Sequence, residues 1–175
     1  MFIVDGHEDI AMNALQHGRD VRLTVAEIRE AEAAREPDPS LPHTGPDDAA
    51  MVGLPEHRLG GVGLVFSTIF TLPDPDPTVP TEKGLQQLLY YHDLARQPVG
   101  VRLITDAGGL DSLIHDWELA PTVDQRPVGF MMLMEGADPV SKPSELHEWI
   151  AGGVRMIGLA WKGTRYAGGT GQPGP

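Results

Sequence analysis

The chain opens with the nine residues Met1-Phe-Ile-Val-Asp-Gly-His-Glu-Asp9, a short apolar run that ends in polar side chains. Its apolar part predicts a β-strand near residues 2–5. In an extended strand, side chains two residues apart leave the same face, so His7 and Asp9 can point at one ion. An imidazole and a carboxylate aimed at one spot suit zinc or a similar divalent metal. The alternative is an edge strand in which Asp5-Gly6 forms a turn and both side chains are solvated.

A second apolar run, Val128-Gly-Phe-Met-Met-Leu-Met134, predicts a strand that is covered on both faces, and Glu135-Gly136 follows it. A carboxylate at the end of a buried strand is costly unless a positive group meets it. One interpretation is a salt bridge from Glu135 to Arg155 or Arg165. The other is that Glu135 is a metal ligand, which could then bridge two ions.

These motifs occur in a defined order along the chain. A strand with Asp-Gly-His-x-Asp comes first, then a long α/β stretch, a strand with Glu-Gly, and a further strand within Gly153-Val-Arg-Met-Ile-Gly-Leu159. In this order, and over nearly the whole chain, the sequence resembles the N-terminal half of the membrane dipeptidase (renal dipeptidase) family. That family comprises amidohydrolase-type zinc peptidases with a (β/α)₈ barrel. The resemblance implies an enzyme that hydrolyses dipeptides at two zinc ions.

The resemblance also implies roles for individual residues. His7 and Asp9 match the family's first-strand ligands of one zinc ion, and Glu135 matches the glutamate that bridges both ions. Glu8 replaces the usual Asn of the motif and is expected to point away from the metal, because its two neighbours point towards it. No catalytic residue beyond the metal ligands is expected here. The family's remaining histidines and its proton-handling aspartate come from later strands.

Length limits the fold that this chain can complete. A (β/α)₈ barrel needs about 250 residues, whereas the chain has 175. Core strands are predicted near residues 2–5, 63–70, 128–134 and 154–160, with helical sequence between them and a short extra strand at 101–104. The prediction is therefore an α/β fold of about four βα units, the N-terminal half of a TIM barrel. It forms one domain, residues 1–175, with a mobile Pro- and acid-rich surface excursion near 36–48.

Helices are predicted between the strands, at residues 9–17, 24–35, from Thr81 onward and at 107–117. Thr24 and Glu27 have the spacing of a capping box. Residues near helical spacing predict the packed face of the third of these helices: Leu85, Leu88, Leu89, His92, Leu94 and Ala95. Ser144 is expected to cap a further helix before the last strand.

Composition excludes several classes of protein. The formal net charge is −12, so nucleic acid would be repelled over most of the surface. No stretch of about 18 apolar residues and no signal-peptide pattern is present, which favours a cytoplasmic protein without a membrane span. The chain has no Cys, so any zinc must be bound by His and carboxylate side chains. The other histidines are expected on the surface or in helix packing: His17, His43, His57, His92, His115 and His147.

Three functional hypotheses remain open. In the first, the chain is part of a zinc dipeptidase whose activity on a small dipeptide requires further strands. In the second, it is a non-catalytic half-barrel that associates with itself or with a complementing C-terminal half, because an open half-barrel exposes strand edges and apolar side chains. In the third, it is another amidohydrolase-type hydrolase, such as a lactonase or a deacetylase. A carboxylated lysine bridging the metals would favour the third, but Lys142 and Lys162 are poorly placed for that role.

Overall fold

A computed structural model describes residues 1–35, 49–169 and 171 of the chain. The surface excursion predicted near residues 36–48, together with His43, lies outside the described residues. No helix within the described residues is both long and apolar enough to cross a membrane.

The centre of the fold is a sheet of five parallel strands. Their bounds are β1 Ile3–Glu8, β2 Val62–Phe70, β3 Val101–Leu103, β4 Val128–Glu135 and β5 Val154–Gly158. Strand β2 lies between β1 and β4, while the other side of β4 pairs with β3 near its beginning and with β5 near its end. The four predicted core strands and the short extra strand are therefore confirmed. Strand β1 extends to Glu8, so that His7 lies inside it.

Six helices are described along the chain. They are α1 Ile10–His17, α2 Val25–Ala33, α3 Leu54–Gly60, α4 Thr78–Arg96, α5 Ala107–Leu119 and α6 Leu146–Ala151. The predicted capping box is confirmed, since Glu27 N–H donates to the Thr24 hydroxyl at 3.2 Å and Thr24 N–H donates to the Glu27 carboxylate at 2.8 Å. Helix α3 was not predicted from the sequence.

The prediction of a Ser144 helix cap is wrong. Ser144 lies within a 3₁₀ turn, Pro143–Glu145, and the helix itself begins at Leu146. Pro143 explains the difference, because its fixed φ starts a helical turn before the serine can act as a cap.

The predicted buried face of α4 is only partly right. Leu88 and Leu94 are buried as predicted, whereas Leu85 and Leu89 are exposed, and Gly84 and Tyr91 are buried in addition. A Cβ on Gly84 would lie 2.9 Å from Pro139 and 3.0 Å from Trp149. Helix α4 therefore packs most closely against Pro139 and Trp149 at Gly84, its smallest residue. This contact sets the rotation of α4 about its own axis.

The sheet is packed differently on its two faces. On one face, alternate residues of β2 and β4 pack against the buried Tyr91 and Trp149 of α4 and α6: Val65, Ile69, Phe130, Met132 and Met134. On the other face, a smaller cluster joins Leu64, Ile104 and Leu113 of α5. We call the face of the sheet that carries this smaller cluster the α5-side face. Because strand side chains alternate, Glu135 lies on the same face as Gly129. The smaller cluster covers this face only at the beginning of β4.

The packing of α5 can be tested at Gly129. A Cβ there would lie 2.4 Å from Leu113 Cδ2 and 2.9 Å from Ile104 Cγ1, and both side chains are buried. Gly129→Ala is expected to lower the free energy of unfolding by about 1–3 kcal/mol, because the core has no room for a methyl group. Urea unfolding measures the change. Gly6→Ala, in a strand with no atom within 4 Å of the added Cβ, is the control, and equal stability of the two variants would contradict this packing.

Candidate metal centre

The end of β1 places His7 and Asp9 on one side of the sheet and Glu8 on the other. His7 N–H donates to Asp5 Oδ1 at 3.0 Å, which fixes the backbone just before the histidine ring. Asp9 occupies the N-cap position of α1, and its carbonyl accepts hydrogen bonds from the backbone and side-chain nitrogens of Asn13 at 3.0 and 2.8 Å. His7 and Asp9 thus lie at an ordered junction between β1 and α1.

The end of β4 brings the third candidate ligand to the same edge. Glu135 is the last residue of β4, opposite Phe70, the last residue of β2. His7 Nε2 lies 3.0 Å from Glu135 Oε2 and 3.6 Å from Asp9 Oδ2. One potential ligand atom from each of the three residues lies within 4.8 Å of the other two. Within the residues that the structure describes, no other His, Asp or Glu group of this kind occurs.

The three side chains are partly exposed, and two of them are carboxylates. The exposed fractions of the side chains are 48% for His7, 28% for Asp9 and 18% for Glu135. Burial raises the pKa of the Glu135 carboxyl above its ordinary value, His7 opposes this, and the Asp9 charge adds to the increase. Two carboxylates held beside one accessible imidazole repel each other, and a cation between them would relieve the repulsion. This donor set therefore fits a divalent metal such as zinc.

The alternative partners considered for Glu135 are bound elsewhere. Arg155 Nε donates to the carbonyl of Thr105 at 2.6 Å. Arg165 Nε lies 3.1 Å from Asp138 Oδ1. The prediction of a salt bridge from Glu135 to either arginine is therefore wrong, and the histidine of β1 meets the carboxylate instead.

Arg165 also joins three loops near this edge of the sheet. Its guanidinium donates to Asp138 and, at 3.4 Å, to the Ser141 carbonyl, both in the loop that follows β4. It further donates to the carbonyl of Pro77, before α4, at 3.2 Å. The side chain itself belongs to the segment after β5. One guanidinium therefore connects the loops after β2, β4 and β5.

Glu8 points away from the candidate ligands, as expected, and finds a partner that the sequence did not reveal. Its Oε1 lies 2.9 Å from His57 Nε2 on α3, and both side chains are buried. Because side chains alternate along a strand, the acid between His7 and Asp9 points to the opposite face of the sheet. A carboxylate that is buried there needs a partner. The identity of that partner depends on α3, whose presence was not predicted.

Other histidines also have partners within the fold. His92 Nε2 lies 2.8 Å from the Gly152 carbonyl, and His147 Nδ1 lies 2.7 Å from the Ser144 carbonyl. These positions agree with the expected packing roles of the two residues.

Comparison with known proteins identifies the family. The family model for membrane dipeptidases, peptidase family M19, matches residues 1–173. The chain therefore belongs to the membrane dipeptidase family, a family of zinc metallopeptidases. This match confirms the family resemblance noted in the sequence. It favours the dipeptidase family over the alternatives of a lactonase or a deacetylase. No curated protein is significantly similar to the chain in sequence.

A solved structure supports the fold. The probable dipeptidase PvdM from Pseudomonas aeruginosa is similar with a TM-score of 0.57 and 19% sequence identity. The match covers 72% of this chain and 32% of PvdM. This likeness confirms the α/β fold with a parallel sheet and is consistent with a partial TIM barrel. The chain spans about a third of the length of PvdM.

The raised pKa of Glu135 predicts a stability difference that depends on pH. A carboxyl whose pKa is higher in the folded state costs stability as the pH rises from its ordinary value of 4.5 through the folded value. Glu135→Gln is therefore expected to increase the free energy of unfolding of the metal-free protein at pH 8. The increase should vanish below about pH 4, where the glutamate is neutral in both states. Urea unfolding across this range measures it, and a variant less stable than wild type at pH 8 would contradict the prediction.

Proposed function

We propose that this chain supplies His7, Asp9 and Glu135 to the zinc centre of a dipeptidase. The observation that carries the proposal is the convergence of one imidazole and two carboxylates, from β1 and β4, within 4.8 Å at the carboxyl edge of the sheet. Active sites of barrel enzymes lie at that edge. Membership of the membrane dipeptidase family supports zinc as the metal and a small dipeptide as the substrate.

The family resemblance implies a separate role for each of the three residues. His7 and Asp9 would hold one zinc ion, and Glu135 would bridge it to a second. Zinc held by these residues would supply Lewis-acid chemistry for peptide hydrolysis, by activating a water and polarising the peptide carbonyl. The backbone hydrogen bonds of His7 and Asp9 keep both side chains directed to one side of the strand. The burial of Glu135 keeps its carboxylate poorly solvated and therefore ready to accept a cation.

Complete hydrolysis would require groups beyond these three. In the family, the second zinc ion's histidines and the aspartate that handles protons come from later strands. The chain spans about a third of the length of PvdM. We therefore propose that dipeptide hydrolysis by this centre requires those later strands, and that the 175-residue chain by itself binds metal.

Metal binding by the 175-residue chain tests this function directly. Isothermal titration of the chelator-treated protein with zinc is expected to show binding at a single site. Asp9→Asn and Glu135→Gln are each expected to weaken it at least about tenfold, because each removes an anionic ligand. Asp93→Asn, which neutralises an exposed carboxylate on α4, is the control and should bind as wild type does. Equal zinc affinity in the wild type and both ligand variants would contradict the proposal.

A second function, as a half-barrel that pairs with another polypeptide, is favoured by the edges of the sheet. Within the described residues, β1 pairs only with β2, and β5 pairs only with β4. Val4 on β1 and Met156 on β5 leave about half of their surface exposed. Unpaired strand edges that carry apolar side chains favour addition of further strands. In the cell this partner would be a complementing C-terminal half, and in the isolated chain a second copy.

The association of the isolated chain is measurable by light scattering after size-exclusion chromatography. The wild type is expected to form dimers or larger species as its concentration rises. Placing charges on both edges with Val4→Lys and Met156→Lys together should shift it to the monomer, because a lysine opposes strand addition. Leu119→Lys at the exposed end of α5 is the matched control and should associate as wild type does. A wild-type chain that stays monomeric at all concentrations would contradict pairing.

A further inference from the structure

Thr68 occupies a central position behind the candidate metal centre. It lies in β2, between the strands that carry the candidate ligands, and it is completely buried. Its hydroxyl contacts Asp9 Oδ1 and also lies 3.3 Å from the carbonyl of Glu8. A hydroxyl has one proton to donate. It goes to the nearer and charged acceptor, the Asp9 carboxylate, because hydrogen bonds to ionised acceptors are the stronger ones.

This hydrogen bond separates the roles of the two Asp9 oxygens. Oδ1 is bound by Thr68, whereas Oδ2 is the oxygen that lies 3.6 Å from His7 Nε2. The terminal torsion of an aspartate is otherwise broad, so the carboxylate could turn either oxygen towards the centre. The threonine removes that freedom and presents Oδ2 to the position between the three side chains.

The backbone of Thr68 is fixed in turn by Tyr91 of α4. The phenol donates to the Thr68 carbonyl at 2.8 Å and accepts from Ala11 N–H at 3.1 Å. Ala11 lies in the first turn of α1, two residues after Asp9. Tyr91 is completely buried, and burial raises its pKa, so it remains a donor at every physiological pH. The tyrosine thus ties β2 to the helix that Asp9 begins.

We propose that Thr68 is a positioning residue for the metal ligand Asp9. The inference rests on the proposed function, since it assumes that Asp9 binds a cation. Thr68 itself does not contact the metal or the substrate. It orients Asp9 before the ion arrives, so the ion does not have to select one of several carboxylate orientations. Partners that orient a ligand in this way change metal affinity by about 10- to 100-fold in known metal sites.

Three substitutions separate positioning from a purely structural role. Thr68→Val keeps the shape of the side chain and removes the hydroxyl. Thr68→Ser keeps the hydroxyl and removes a buried methyl group. Thr71→Val is the matched control, because Thr71 is also buried near the end of β2 and its hydroxyl has no hydrogen-bond partner among the described residues. Cobalt(II) serves as the probe, since its visible absorption spectrum reports the geometry of its ligands.

Cobalt titration of the 175-residue chain, together with thermal unfolding of the metal-free protein, gives the result. Thr68→Val is expected to weaken cobalt binding by about 10- to 100-fold and to change the spectrum. Thr68→Ser and Thr71→Val are expected to keep the wild-type affinity and spectrum, even where the melting temperature falls. Thr68→Ala, which also lacks the hydroxyl, replaces the valine variant if that variant does not fold.

The outcomes distinguish this inference from the function on which it rests. A wild-type chain that binds no cobalt overturns the proposed metal centre, and the role of Thr68 with it. A wild-type chain that binds cobalt, with unchanged affinity and spectrum in Thr68→Val, overturns the role of Thr68 alone. A lower melting temperature in Thr68→Val without loss of affinity also overturns that role, because it shows that the hydroxyl serves only the fold.

Discussion

The candidate centre depends on the parallel pairing of β1, β2 and β4. Parallel strands end at the same edge, so two residues far apart in the chain, His7 and Glu135, lie 3.0 Å from each other. Holding two carboxylates at this edge is costly, because burial raises the pKa of Glu135 and the neighbouring Asp9 charge adds to the increase. The fold offsets part of this cost with the His7 ring and the Thr68 hydroxyl.

Strand alternation connects the centre to the packing behind it. His7 and Asp9 can point to the α5-side face only if Glu8 points to the opposite face of the sheet. On that face, Glu8 is buried beside His57 of α3. A shift of β1 by one residue would bury the candidate ligands and expose Glu8 in their place. The buried pair therefore helps to define the register that the centre needs, and α3, which carries none of the candidate ligands, contributes to their placement.

The sequence allowed the strands and the three converging side chains to be predicted, since apolar runs mark β2 and β4 and polar residues follow at strand ends. Contacts between distant elements could not be predicted. Helix α3 is short and carries little periodicity, and the rotation of α4 follows from the contact of Gly84 with Pro139 and Trp149. The role of Thr68 has no sequence signal of its own, because a threonine within an apolar strand is common.

Arg165 has a consequence for how the rim of the sheet can vary. From the segment after β5, its guanidinium reaches the loop after β4, through Asp138 and Ser141, and the loop after β2, through Pro77. A lysine offers a single compact ammonium and cannot span three directions from one position. A sequence change that moves one of these loops therefore affects its hydrogen bonds to Arg165 and, through them, the other two loops. The three loops are expected to change together in evolution.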